Sequence, residues 1–204
     1  TLFRISVGAV PFLMPLMLQV GFGLSPFQSG LVTFTGAIGA ITTKFIAKRV
    51  LTFAGFRTTL IVAAICGTVL TFVNGFFTPA TPFWFMALVL LVAGLARSFF
   101  FTSVNALSFA DISDEDASKA TSMTAVLQQM SLAMGVAVAG TILEIETSLT
   151  GSPLELRDFQ IAFMVISAIT ITAVIPFITM AKNAGAAVSG HRLVAPEEET
   201  AAVK

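Results

Sequence analysis

Cysteine, histidine, tyrosine and net charge are nearly absent from this chain, and each shortage removes a class of function. There is one cysteine (Cys66), one histidine (His191), one tryptophan (Trp84) and no tyrosine in 204 residues. A single cysteine cannot form an internal disulfide or a cysteine metal cluster. His191 lies in a polar stretch and reads as a solvated residue, so no metal site and no cofactor are expected. Acidic and basic side chains balance at 11 each, and no basic tract occurs, which argues against nucleic acid as a partner. A membrane-embedded enzyme would need His, Asp, Glu or Cys clustered at one depth. No such cluster exists, so the chain is not expected to be an enzyme.

What is abundant is apolar. Hydrophobic residues make up 56% of the chain and mean hydropathy is +0.93, far above a soluble domain. Six long apolar stretches run over roughly 5–22, 27–47, 58–77, 83–110, 117–143 and 159–181. Each is long enough to cross a hydrocarbon core about 30 Å thick, which takes about 20 helical residues. A helix satisfies its own backbone groups where water is absent. The expected fold is therefore an all-α membrane protein, a six-transmembrane-helix bundle over 1–182. The Gly/Ala/Ser-rich and then acidic segment 183–204 reads as a cytoplasmic disordered tail.

Charge placement gives the orientation. Arg4, Lys44, Lys48, Arg49, Arg57, Lys119, Lys182, Arg192 and Lys204 fall on links of one parity, whereas the opposite links hold only Arg157. By the positive-inside rule the first set is cytoplasmic, with both termini on that side. Links are short, so successive spans are antiparallel neighbours. The 22–27 link, Phe22-Gly-Leu-Ser-Pro-Phe27, reads as a turn with Pro26 opening the next helix. Thr78-Pro79-Ala80-Thr81-Pro82 reads as a second, with Trp84 at interfacial depth. In the acidic link 111–118, Ser113 and Asp116 fit a capping box, and a gating salt-bridge role is the alternative. Three spans plus three suggest two inverted units, a common transporter plan. The chain begins Thr-Leu-Phe and enters a span almost at once, which reads as the C-terminal part of a longer polypeptide whose partner helices lie elsewhere.

Polar groups at membrane depth are the candidate functional residues. Arg97 sits near the middle of the fourth span, where an arginine costs roughly 2.5–3.5 kcal/mol on insertion scales. No carboxylate occurs at comparable depth. Arg97 is thus a cavity or gating residue, a structural donor to neighbouring helices, or a snorkelling side chain. At helical spacing it shares a face with Phe101, Val104, Asn105 and Ser108. Gly94, Ser98, Thr102 and Ala106 form an adjoining stripe of small residues suited to close helix contact. The fifth span repeats this with Ser131, Gly135 and Ala139, while Gln128 and Gln129 carry amides that bond across helices or line a solute path. Glu144 and Glu146 are expected to close that span at the interface. In the first span Pro11, Pro15 and Gln19 share a face, and the prolines should bend the helix. The third and sixth spans, more uniformly aliphatic apart from Asn74 and Pro176, look lipid-facing.

Pro15-Leu-Met-Leu-Gln19 followed by Gly21-Phe-Gly-Leu-Ser-Pro-Phe-Gln-Ser-Gly-Leu31 resembles the C-terminal half of the 14-span drug:proton antiporters of the major facilitator superfamily. This is the EmrB/QacA type, with HsrA-like carriers among them. Gln128-Gln129-Met-Ser-Leu-Ala-Met-Gly-Val-Ala137, and Asn105 to Asp111, look like the same group. The resemblance implies that the six spans are spans 9 to 14 of a full carrier in a bacterial inner membrane. Its first, second, fourth and fifth helices would line a central cavity, and the third and sixth would be peripheral. It implies proton-coupled efflux of amphipathic organic compounds by alternating access, with the bilayer, the absent N-terminal half, a small organic substrate and protons as partners. Arg97, Phe101, Asn105, Gln128, Gln129, Gln19 and Pro15 are then the candidate cavity or gating residues. Lys48-Arg49 to Gly55-Phe-Arg57 looks like the superfamily's basic loop without its usual aspartate. A symporter or uptake carrier of the same superfamily, or a non-transporting scaffold or sensor, are the alternatives.

Overall fold

A computed structural model of the protein describes residues 2–108 and 114–175, and every described element is helical. Helix α1 (Leu2–Leu16) runs into a π-helical turn at Met17–Gly21. Then follow α2 (Pro26–Asn74), α3 (Phe83–Ser108), α4 (Asp114–Thr150) and α5 (Leu156–Ile171), which ends in a 3-10 turn at Thr172–Val174. Among the described residues, five helices are long and apolar enough to cross a membrane.

Local sequence explains most boundaries. Pro11 and Pro15 stand inside α1 and donate no backbone hydrogen bond, so the ladder is weakened just before it widens to the π turn. There Phe22 N–H reaches back five residues to Met17 O at 3.1 Å. The carbonyl of Pro15 accepts from Ser29 Oγ at 3.3 Å, tying α1 to α2. Ser25 caps α2 reciprocally: Gln28 N–H donates to Ser25 Oγ (3.3 Å) and Ser25 N–H donates to Gln28 Oε1 (3.0 Å), with Pro26 at the first helical position. Thr78 and Thr81 close the next turn through Thr78 N–H to Thr81 Oγ1 at 2.9 Å. Ahead of α5, Glu155 N–H donates to Asp158 Oδ2 at 2.8 Å.

The largest departure from the sequence reading is α2, a 49-residue element that joins the second and third expected spans without a loop between them. Its continuity is broken at Gly55, where φ is 71° and ψ 167°. That conformation is open essentially to glycine alone. The chain reverses there. Gly36, Gly39 and Ala40 contact Leu90, Leu91 and Ser98 of α3. Thr59, Ala63 and Cys66 share a groove with Val92, Ala96 and Phe99 of the same helix. Ala40 and Ala63 would lie about 35 Å apart on a straight helix, too far to meet one short stretch of α3. The basic residues Lys48, Arg49 and Arg57 therefore sit on helix flanking the break. Lysine, arginine, leucine and alanine are good helix formers, which is why the expected loop shrinks to a single glycine.

Other boundaries also move. α4 continues to Thr150, so Glu144 and Glu146 lie within the helix instead of closing it. Arg4, expected ahead of the first span, is inside α1 and only 9% exposed. The sixth expected span is not simply lipid-facing: Phe159, Ala162, Phe163 and Ile166 of α5 are fully buried, while Val165 and Ile171 stay exposed. A uniformly aliphatic helix carries no polarity difference to announce its inner face. Ser113, Pro176 and the 183–204 tail lie outside the described residues, as does the end of the sixth expected span.

The core has two centres. Leu13 and Met14 of α1 and Met17 of the π turn meet Met86 and Leu90 of α3, Leu143 of α4 and the buried face of α5. Nearer the chain's start, Phe3 packs on Phe100 with ring centroids 3.9 Å apart, beside Leu60, Ala64 and Val174. In a bilayer, apolar side chains gain little by leaving lipid for protein, so close backbone approach decides which helices pair. That approach is present at two seams. A Cβ on Gly94 would run into the backbone of Gly36, and one on Gly39 into Leu91, on the α2–α3 seam. A Cβ on Gly135 would meet Ile5, and one on Gly8 would meet Leu132, on the α1–α4 seam.

Candidate functional site

The α2–α3 seam carries hydrogen bonds as well as glycines. Ser98 Oγ donates to Ala40 O at 3.0 Å, and Thr43 Oγ1 lies 3.3 Å from Gly39 O and 3.4 Å from Leu95 O. Beside this seam Arg97 turns inward. Its Nη2 packs beside Gly36, 3.7 Å from where a Cβ would stand, an ordinary contact distance. Arg97 lines a small cleft between α1, α2 and α3. The cleft's other polar groups are Ser6, Thr71 and Asn74, and its apolar walls include Val7 and Leu90. Among the described residues, Arg97 has no hydrogen-bond or ion-pair partner.

The remaining candidates are distributed around this cleft, not gathered in it. Phe101 is half-buried, and the guanidinium carbon of Arg4 lies 5.4 Å from its ring centroid, a cation–π contact. Asn105 is half-buried, with Oδ1 out of reach of solvent and of any hydrogen-bond donor among the described residues. Gln19 and Pro15 are half-buried at the end of α1. Gln128 is half-buried and Gln129 exposed on α4, whose side chains do not line the Arg97 cleft. In the packing set, Gly94, Ser131, Gly135 and Ala139 are buried, Ser98 and Ala106 half-buried, and Thr102 exposed.

Two residues gained importance that the sequence did not signal. Asn74 is 1% exposed, and neither its Oδ1 nor its Nδ2 has a partner. A lone asparagine three residues from a span's end reads as interfacial, and only the packing of α1 and α3 over it shows otherwise. Arg4 likewise looked like an ordinary flanking charge.

Larger apolar spaces exist among the described residues, one of them about 280 Å³ between Phe72 of α2 and Met164 of α5. A groove of about 260 Å³ lies in the fold of α2 against α3, with Cys66 on its wall. Another of about 440 Å³ lies between α1 and α4 beside Glu144. α4 presents an open apolar face, with Met123, Val126, Leu127 and Met130 each more than half exposed, and α2 presents another with Phe27, Leu31, Phe34 and Phe45. Gln129, on the α4 face, is exposed as well.

Comparison with known proteins agrees with this architecture. The profile of the Major Facilitator Superfamily matches residues 1–198. The chain is 32% identical over 140 residues to MdtD of Cronobacter sakazakii, and 34% identical over 142 residues to MdtD of Enterobacter sp. and of Escherichia coli O6:H1. These proteins are named for a provisional role in multidrug resistance. Each alignment covers 69% of this chain and 30% of the relative, so the chain spans about a third of the length of the proteins it matches. No solved structure matches it. A helical bundle with several membrane-length helices, matched to the family profile over nearly its whole length, leads to one conclusion: the chain belongs to the Major Facilitator Superfamily.

Proposed function

We propose that this chain is the C-terminal six-helix half of a 14-span, EmrB/QacA-type carrier that exports amphipathic organic compounds in exchange for protons. In this reading the Gly55 break is a hairpin between two membrane crossings, which brings the crossings to six and the units to three plus three. Both termini and the basic residues Lys48, Arg49 and Arg57 face the cytoplasm of a bacterial inner membrane. The open face of α4 is the observation that carries the proposal. Methionines and valines there, interleaved with Gln128 and Gln129, suit an adaptable surface lining a cavity shared with a second bundle. The carrier would work by rocking the two bundles about a site near the midplane. Arg97 and Asn105 are proposed as polar groups that influence gating behind that surface, and Gln19 and Pro15 as part of its outer rim.

The relatives' association with multidrug resistance supports drug-like compounds as substrates. The test is a pH jump across vesicles holding the full-length carrier and a fluorescent amphiphile. Antiport is expected to move the compound against the direction of proton flow. Movement with the protons would make the protein a symporter, and no movement under any gradient would make it a scaffold or sensor.

A further inference from the structure

The cleft lined by Arg97 and Asn74 has a chemistry that the drug pathway does not account for. Its volume is about 30 Å³, room for one or two water-sized particles and not for an organic substrate or its carboxylate group. Its walls come from three helices of this chain. Inside it stands a guanidinium without a counter-charge among the described residues, next to apolar side chains that cannot solvate it. Asn74, almost wholly enclosed, leaves its Nδ2 donor unused. The two hydroxyls give their protons to backbone carbonyls: Ser6 Oγ donates to Phe3 O at 2.9 Å, and Thr71 Oγ1 to Gly67 O at 2.8 Å.

The free donors are therefore Arg97 and Asn74 Nδ2, and the net charge of the space is positive. Water would satisfy the asparagine but leave the cation uncompensated in a low-dielectric setting, where compensation matters most. We propose that this cleft binds a small monovalent inorganic anion, of chloride size, held by Arg97 and Asn74. Such an ion would neutralise Arg97 inside the bundle and fix α1 against α2 and α3. Its presence would make the stability of this half depend on halide concentration.

The test uses the purified full-length protein in detergent at constant ionic strength, with chloride replaced stepwise by gluconate, which is too large for the space. The melting temperature is expected to rise with chloride, and equally with bromide, along a single saturating curve, as for any ligand that binds only the folded state. Arg97→Gln should abolish the response. Asn74→Ala should weaken half-saturation by about tenfold, the scale of one lost hydrogen bond to an ion. Equal melting temperatures in chloride and gluconate for the unaltered protein would overturn the proposal, leaving waters as the occupants. So would an unchanged halide response in Arg97→Gln. If that variant does not fold, an unchanged half-saturation in Asn74→Ala decides against the site. No transport is measured, so failure of the efflux reading would leave this result standing.

Discussion

Arg97 shows how far a single residue can be understood from its surroundings. Its position in an apolar span and the lack of a carboxylate at its depth were plain from the sequence. What was not plain is that it packs beside Gly36, sixty-one positions earlier, or that Asn74 shares its cleft. Such partners are contributed by helix packing, which no local pattern records. The charge is costly in a membrane, so removing it should help insertion by roughly 2.5–3.5 kcal/mol. We therefore expect Arg97→Ala in the full-length carrier to reach the membrane at undiminished levels. Efflux of at least one substrate should nevertheless fall about tenfold, equivalent to ~1.4 kcal/mol in the barrier. Drug-accumulation assays normalised to membrane abundance check this, and unchanged efflux of every compound tested would remove Arg97 from the mechanism.

At the scale of the element, small residues do the pairing. The stripe Gly94, Ser98, Thr102, Ala106 was visible at helical spacing, but its partner was not. Gly36, Gly39 and Ala40 are scattered among Thr, Phe and Ile and announce no stripe. Gly94→Ala should drive a Cβ into the backbone of Gly36 and destabilise the α2–α3 seam by about 1–3 kcal/mol. Gly30→Ala on the same α2 meets nothing within 4 Å and should be neutral or slightly stabilising, since alanine favours a helix by up to ~1 kcal/mol over glycine. Gly55→Ala should cost ~1–3 kcal/mol for a different reason, the backbone conformation at the break. Thermal unfolding of the three variants in detergent separates these effects; similar losses in all three would mean that the seams are not decided by close approach. The turns at Ser25 and Thr78 were readable because their capping groups are adjacent in sequence. The reversal at Gly55 was not, because residues on both sides favour helix and a single glycine carries the whole change of direction. The inner face of α5 was hidden for the opposite reason, an even spread of apolar side chains.

For the molecule as a whole, hydropathy marked the helices and charge parity suggested their direction. The cavity set did not come together as the sequence suggested. Arg97 lies in a cleft among α1, α2 and α3, while Gln128 and Gln129 sit on α4. Helical spacing tells which residues share a face of one helix, but not which helices face each other. The exposed methionines and valines of α4 suit a companion bundle. Co-expression of this segment with a separately encoded N-terminal half should therefore protect a cysteine placed at Met130 from thiol reagents, in a Cys66→Ala background, compared with the segment alone. Equal labelling in both settings would argue against α4 as the contact face.

The proposed export depends on α2 turning back at Gly55 on the cytoplasmic side of the bilayer. The direct measurement is labelling of a cysteine at Arg49, again without Cys66, by a membrane-impermeant maleimide in cells carrying the full-length protein. Protection in intact cells and labelling once the membrane is permeabilised is the expected result. Labelling from outside intact cells would contradict the orientation, and with it the direction of transport proposed here.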